Sequence, residues 1–511
     1  MTDAAPEARQ LDLRLVPAAL TCWGVTAAGI LWPAGVFIAA GFVTAGAVLW
    51  FARDRMPRYV SGLLAVCVVG AGFGFAAALR AHSVSEHPIV LKFGTTADVA
   101  VTPTESPRSV GHGRVLFNAT MQRLDGHQTQ GRVAVFASGS EFSDIAAGQP
   151  MAFAARIGRP HRHDLTVATL TTTGKPVIGQ ASRVHRMARK VRERFAAAVR
   201  EVLPAAQAAM LPALVLGDMT AVSEATVTEF RIAGLTHLTA VSGANVTIVC
   251  GAVLFAARLI GPRSAVALAA LALGTFVIVV QPSPSVLRAA VMGAIALLGV
   301  LTARRRQAIP ALAATVLVLM IVAPQLAVDV GFALSVSATA ALVVLAPGWS
   351  LRLTARGWPK PLADAVCVAV AAQLVTAPLV AGISGQFSVV AVAANLVVAP
   401  AVAPITVLGT AAAALTVCWP AAAQLLIRFT GPQVWWLLSV ARCAARVPGA
   451  TLAVPSGALG VLILGLTVIA AAVATRWRLT RRLLLVGAIV ALGWSISGWL
   501  AGPLHGAVGA P

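Results

Sequence analysis

Apolar runs about 20 residues long recur from residue 15 to residue 500 of this chain, the length a helix needs to cross roughly 30 Å of hydrocarbon. With 58% hydrophobic and 11% charged residues and a mean hydropathy of +0.84 over 511 residues, the chain is too apolar for a soluble protein, whose apolar share is about half. It reads as an integral membrane protein. The expected spans are 15–32, 33–51, 59–79, 235–258, 264–281, 285–302, 308–323, 326–346, 361–382, 387–418, 422–441, 456–475 and 483–500. Within 387–418, Pro400 and Pro404 predict either a kinked helix or a broken, re-entrant one, because the backbone groups they free need partners from protein or water. The N-terminus is polar up to Leu13 and then apolar, like a signal peptide. Further spans follow at once with no small-residue cleavage site before a soluble chain, so it is not read as one.

Lys and Arg in short loops set the orientation. Arg53, Arg55 and Arg58 follow the second span, Arg258 and Arg263 the fourth, and Arg304, Arg305 and Arg306 the sixth. Arg352, Arg356 and Lys360 follow the eighth, and Arg476, Arg478, Arg481 and Arg482 precede the last. If the spans alternate, all these residues share the cytoplasmic side, and residues 80–204 lie outside.

This outer insertion has a different texture. Short alternating runs such as GRVLFNATMQRL (113–124) and GRVAVFASG (131–139), broken by Gly, Pro and Asp-Gly, predict antiparallel strands between Val90 and Ile178. A small β-barrel or sandwich is the economical expectation. The six cysteines, at 22, 67, 250, 367, 418 and 443, all sit in or beside apolar spans, which supports neither a disulfide framework nor a zinc site. Next, Val184, Met187, Val191, Phe195, Val199 and Val202 share one face of a helix whose other faces carry Arg183, Arg186, Arg189, Lys190, Arg192 and Arg200. Such a helix lies on a membrane surface or meets a polyanion. The net charge of +21 admits anionic lipid and nucleic acid alike, since phosphate attraction needs no sequence preference.

Three chemistries are weak. His161-Arg162-His163-Asp164 resembles the start of a metallohydrolase motif, but Thr166 breaks it and no later histidine set completes a metal shell. Ala240-Val241-Ser242-Gly243 resembles the GxSG of intramembrane serine proteases, which need a histidine on another helix; after His237 the only histidine is His505. Carboxylate-relay transport is disfavoured because the only acids after Glu229 are Asp329 and Asp364. Catalytic, cofactor and metal residues are therefore not expected.

The segment most worth following is 217–249, GDMTAVSEATVTEFRIAGLTHLTAVSGANVTIV. It sets Asp218, Arg231, His237, Ser242 and Asn245 inside or just before an apolar stretch, where polar groups are costly and usually functional. Ser223 or Thr226 is placed to cap a short helix with Glu224 and Glu229 near its start, and Gly234 to end it in a left-handed conformation. Gly243 and Ala244 serve close helix packing or a polar lining.

At these residues the chain resembles the ComEC competence proteins, the inner channel of bacterial DNA uptake. GLTHLTAVSGANVTIV with GD at 217–218 and FR at 230–231 carries the resemblance, with PSPSVLRAAVMG at 282–293 as a second block holding Pro284, Ser285, Arg288 and Ala289. QLVTAPLV (373–380) and NLVVAPAVAP (395–404) are weaker echoes. Two departures stand out. Many relatives have histidine where this chain has Asn245. Longer relatives also continue into an extracellular metallo-β-lactamase-like domain, so a chain ending at Pro511 is expected to be a short form that leaves any nuclease to another polypeptide.

The resemblance implies a polytopic α-helical membrane protein, with about 11–13 transmembrane helices by the span count above, and an inserted extracytoplasmic OB-like β-domain. Its regions are 1–79 (N-terminal spans), 80–182 (β-domain), 183–234 (amphipathic and connecting helices), 235–500 (channel domain) and 501–511 (tail). It would sit in the bacterial inner membrane and pass single-stranded DNA, lined or contacted by Asp218, Phe230, Arg231, His237, Ser242, Gly243, Asn245, Pro284, Ser285 and Arg288. Arg428 is a further phosphate contact in this reading, and Phe230, Trp435 and Trp436 offer faces for bases, although the tryptophans also suit an interfacial belt. Expected partners are membrane lipids, a DNA receptor outside and a helicase motor inside, because no GxxxxGK[ST] loop is present; self-association is left open. The competing classes are a transporter of a smaller anion and an intramembrane hydrolase built on His237 and Ser242.

Overall fold

The computed structural model describes residues 12–474 apart from 33, 53–56, 111–112, 139–141, 143–144, 146, 161, 163, 240, 282 and 302–307. The expected span 483–500, the tail 501–511, His161, His163, and the basic residues Arg53, Arg55, Arg304, Arg305, Arg306, Arg476, Arg478, Arg481 and Arg482 lie outside the described residues.

Helices α1 (Val16–Leu31), α2 (Gly35–Phe51) and α3 (Pro57–Ser85) precede a β-domain of five main strands: β1 (Thr96–Pro103), β2 (Arg114–Leu124), β3 (His127–Ser138), β4 (Met151–Gly158) and β5 (Thr166–Thr172). Then follow α4 (Arg183–Val202), α5 (Ala205–Leu216), α6 (Glu224–Ile232), α7 (Thr236–Thr239), α8 (Gly243–Ala256), α9 (Pro262–Val280), α10 (Pro284–Leu301) and α11 (Ala308–Val322). The chain continues through α12 (Val330–Val344), α13 (Ala346–Thr354), α14 (Lys360–Ser384), α15 (Ala391–Leu415), α16 (Pro420–Ala445) and α17 (Ala458–Ala474). Among the described residues five helical stretches are long and apolar enough to cross a membrane: Val60–Lys92, Pro262–Val280, Val330–Thr354, Lys360–Ser384 and Ala391–Leu415. The protein is thus mostly helical and of membrane type. It divides into two compact units, one holding the first 190 residues with 250–333, the other 191–249 with 334 onward.

In the first unit α1, α2 and α3 pack together through small residues, which let backbones approach closely. A Cβ on Gly29 would stand 2.7 Å from that of Ala77, and one on Gly70 would strike the Phe42 ring at 2.6 Å. Helix α3 runs beyond the expected limit of residue 79 to Ser85 and hands the chain to the β-domain through a 3-10 turn at Pro88–Lys92.

The strands form a closed barrel in the order β1-β2-β3-β5-β4, with β4 pairing back onto β1; β3 and β5 run parallel and the other neighbours antiparallel. The β2–β3 hairpin turns at Asp125-Gly126, with φ of 46° and 83°, the positive values a two-residue turn of this kind needs. Alternate residues fill the interior, among them Val99, Val101, Phe117, Met121, Val135, Ile157 and Leu170, as a period of two requires.

Residues just after β1 reach the loop between α9 and α10 in the same unit. Gln281 Oε1 accepts from Ser106 N at 3.2 Å and Ser106 Oγ at 3.1 Å, and Gln281 Nε2 donates to Ser106 Oγ at 2.8 Å. Gln281 holds φ at 74° with ψ at 145°, a positive-φ conformation favoured by glycine that costs another residue about 1–3 kcal/mol and persists where the surroundings impose it. Gln281→Ala keeps the strained backbone and removes the clamp, so amide deuterium exchange over 104–106 is expected to quicken roughly tenfold, the equivalent of about 1.4 kcal/mol. Unchanged exchange would mean that the clamp holds nothing.

In the second unit α15 and α16 form an antiparallel pair. Helix α15 continues through Pro400 and Pro404, so the broken or re-entrant form of 387–418 is not adopted. Pro400 removes the donor that Leu396 O would meet, and in the same turn Val397 O accepts from Trp436 Nε1 at 3.1 Å. Helix α14 packs on α17, where Gly382 leaves room for Val461, and Ser350 donates to the Asp364 carboxylate across the α13–α14 turn. The strands Gln386–Ser388 and Thr451–Ala453 pair antiparallel.

Candidate functional site

The first block, 217–249, lies in the second unit, and each of its turns has a local cause. Helix α5 ends at Gly217, which takes the left-handed conformation (φ 72°). Asp218 then closes a turn, its Oδ1 accepting from Thr220 N at 3.2 Å and Thr220 Oγ1 at 2.7 Å. Asp218 Oδ2 stands 3.9 Å from Arg192 of α4, with both side chains largely buried. Burial pushes the Arg192 guanidinium below its ordinary range, and the Asp218 carboxylate pulls it back up. Asp218 therefore ties α4 to the turn.

Ser223 caps α6, its Oγ accepting from Thr226 N at 3.3 Å, as its position before the helix predicts. The other end closes in a Schellman motif: Leu235 N donates to Phe230 O at 2.8 Å, Gly234 N donates to Arg231 O at 3.1 Å, and Gly234 adopts φ 69°. Phe230 and Leu235, 1% and 0% exposed, are the buried apolar residues at the two positions the motif pairs. Phe230 thus has no ring face to offer a base. The expectation of stacking fails because its position on α6 points it inward, while Arg231, one residue on, is exposed.

The elbow is held by the start of α15. Ser388 Oγ donates to Ile232 O at 2.6 Å, and Asn395 Nδ2 donates to Gly234 O at 3.3 Å. Asn395 opens the NLVVAP echo, a signal that could have marked it as a site residue.

Beyond the elbow the expected single span 235–258 is interrupted. Helix α7 stops at Thr239, Val241 and Ser242 are not helical, and α8 begins at Gly243. Ser242 and Gly243 both favour local turns over helix continuation. Ser242 Oγ donates to Asn245 Oδ1 at 3.4 Å, an amide that cannot act as its base, while His237 is exposed. Asn245 itself is 5% exposed. Its Nδ2 donates to Leu214 O at 3.2 Å, and its Oδ1 lies 3.5 Å from Thr406 Oγ1. Gly243 is half-buried at the first turn of α8.

The second block belongs to the first unit. Pro284 starts α10, where its missing N–H costs nothing. Val286 N donates to Ser283 Oγ at 3.4 Å, and Ser283 Oγ lies 3.1 Å from Ser285 Oγ. Arg288 is 7% exposed, its Nη1 within 3.8 Å of Met292 Sδ; protein encloses it, and the expected contact with a passing strand is not exposed. On α16 Arg428, Trp435 and Trp436 are exposed. On α4 Phe195 and Val199 are buried, but Val184 and Met187 are exposed. Among the described residues no three His, Cys, Asp or Glu side chains gather to hold a metal.

The sequence model of the family described as Competence protein matches residues 214–479, more than half of the chain, from the carbonyl that Asn245 holds through both blocks. The chain belongs to the competence protein family. Neither the curated proteins nor the solved structures include a match to it. For a competence protein the match leaves the barrel outside and places the elbow, the broken α7–α8 segment and the α15–α16 pair inside the shared part. Sequence reasoning did not find Arg192, Gln281, Ser388, Asn395 or Thr406, each of which acts through a partner distant in sequence.

Proposed function

We propose that this competence protein is a multi-pass channel of the bacterial inner membrane that passes single-stranded DNA from outside into the cytoplasm. The family match over 214–479 carries the reading, because the family implies a role in DNA uptake. About 11–13 helices would cross the bilayer in this proposal, counted from the apolar runs. The barrel would lie outside as an OB-like receiving domain. Its closed five-strand order supports this, as does the outer face of β2 and β3, where Leu116 sits opposite Phe136, Asn118 opposite Ala134 and Thr120 opposite Arg132. Folds of this kind bind strands on that face through aromatic and basic side chains. A DNA receptor would deliver the strand and a separate ATP-driven motor would draw it in.

Arg231, exposed at the end of α6, is the phosphate contact to test. Arg231→Ala is expected to reduce DNA uptake roughly tenfold or more, the loss of a contact of about 1.4 kcal/mol, with membrane levels of the protein checked by immunoblot. Normal uptake in a clean deletion of the gene would sink the proposal.

A further inference from the structure

Within the second unit, the chain from the end of α4 to α7 runs along the α15–α16 pair from one end to the other. Arg194 Nη1 donates to Val417 O at 3.4 Å in the turn between those helices, and Gln424 Nε2 donates to Glu201 Oε2 at 3.0 Å one turn into α16. A Cβ on Gly431 would lie 3.1 Å from Leu203, and one on Gly409 would lie 2.4 Å from Val215. At the far end, a Cβ on Gly234 would lie 2.4 Å from that of Ala391, the first residue of α15. Positions 391 and 409 are about 27 Å apart on a helix rising 1.5 Å per residue, and α15 is one of the five helices able to cross a membrane. Residues 216–234 therefore cover most of the ~30 Å depth of hydrocarbon.

They are poorly suited to lipid. Residues 217–223 are not helical, and Thr220, Ser223, Glu224, Thr228 and Arg231 are exposed. Irregular backbone survives at that depth only when enclosed by protein or bathed in water, and a charged side chain facing acyl chains costs about 2.5–3.5 kcal/mol even on the mildest scale. Enclosure fails for these five, since they are exposed. We infer that Thr220, Ser223, Glu224, Thr228 and Arg231 line a water-filled cavity at bilayer depth, with α5 as a buried half-span leading to it. This rests on α15 crossing the membrane and holds whatever the passenger is.

Cysteines introduced one at a time, Thr220→Cys, Glu224→Cys and Thr228→Cys, in a Cys418→Ser, Cys443→Ser background that keeps the four buried cysteines and serves as the blank, test it. A charged methanethiosulfonate reagent that stays out of lipid is added to open membrane fragments, and total thiol after denaturation reports the amount of protein. Leu425→Cys and Ile463→Cys, at exposed apolar positions of α16 and α17, give the lipid-facing rate. The three cavity positions are expected to react at least tenfold faster than these controls; equal rates overturn the inference. Slower labelling when single-stranded DNA is present supports both the cavity and the DNA reading. Fast labelling that DNA leaves unchanged supports the cavity and counts against DNA passage.

Discussion

Gly234→Ala is expected to destabilise the second unit by about 2–5 kcal/mol and to deplete the monodisperse protein recovered in detergent. Two separate terms combine. The left-handed φ of 69° costs a residue with a Cβ about 1–2 kcal/mol. The new methyl would also meet Ala391 Cβ at 2.4 Å, and relieving such overpacking by a backbone shift costs about 1–3 kcal/mol. The pair Gly234→Ala, Ala391→Gly separates the terms: it removes the overlap and keeps the strain, so it is expected to regain roughly half of the lost thermal stability in a size-exclusion melting assay. If Gly234→Ala melts with the parent protein, the elbow is not pinned to α15. If the double variant gains nothing, the clash with Ala391 is not the cause.

Features that depend on neighbours in sequence were legible. An apolar run long enough to span needs no partner to be recognised, and the alternating strands with Asp125-Gly126 between two of them announced a β-domain. The caps at Ser223 and Gly234 were readable for the same reason. Closure of the barrel was not, because β1 and β4 are joined by pairs such as Val99 with Phe153, which no local pattern encodes. Helix α5 lies in the region expected to hold connecting helices, and its 12 residues, with Pro212 among them, fall short of a span. Its burial is supplied by α15 and α16, about two hundred positions later. Phe230 was expected to offer a face to bases and Arg231 to meet phosphate, yet adjacent helix positions face different directions, and Phe230 lies in the core. Arg288, one turn into α10, is enclosed by protein, which its local sequence does not announce.

Asn245 was the position that fitted least well, since relatives with histidine there suggested a role for an imidazole. Its geometry gives one answer for both side chains. The last carbonyls of a helix have no later N–H within it. In α5, Ala213 O is met by Gly217 N and Pro212 O by Asp218 N, and Leu214 O is met by Asn245 Nδ2. What the position supplies is a donor, buried at the point where α5 ends inside the protein. A neutral histidine keeps one ring N–H, so Asn245→His is expected to melt within a few degrees of the parent. Asn245→Leu leaves the buried carbonyl unmet, a loss of about 1–3 kcal/mol. Asn245→Asp keeps the shape but, when ionised, can only accept; it sets a carboxylate against Leu214 O and is expected to be the least stable of the three, recovering as the pH is lowered and the acid gains a proton to donate. An aspartate variant as stable as the parent at neutral pH would mean that water serves this carbonyl, leaving Asn245 free to face whatever moves past the broken helix.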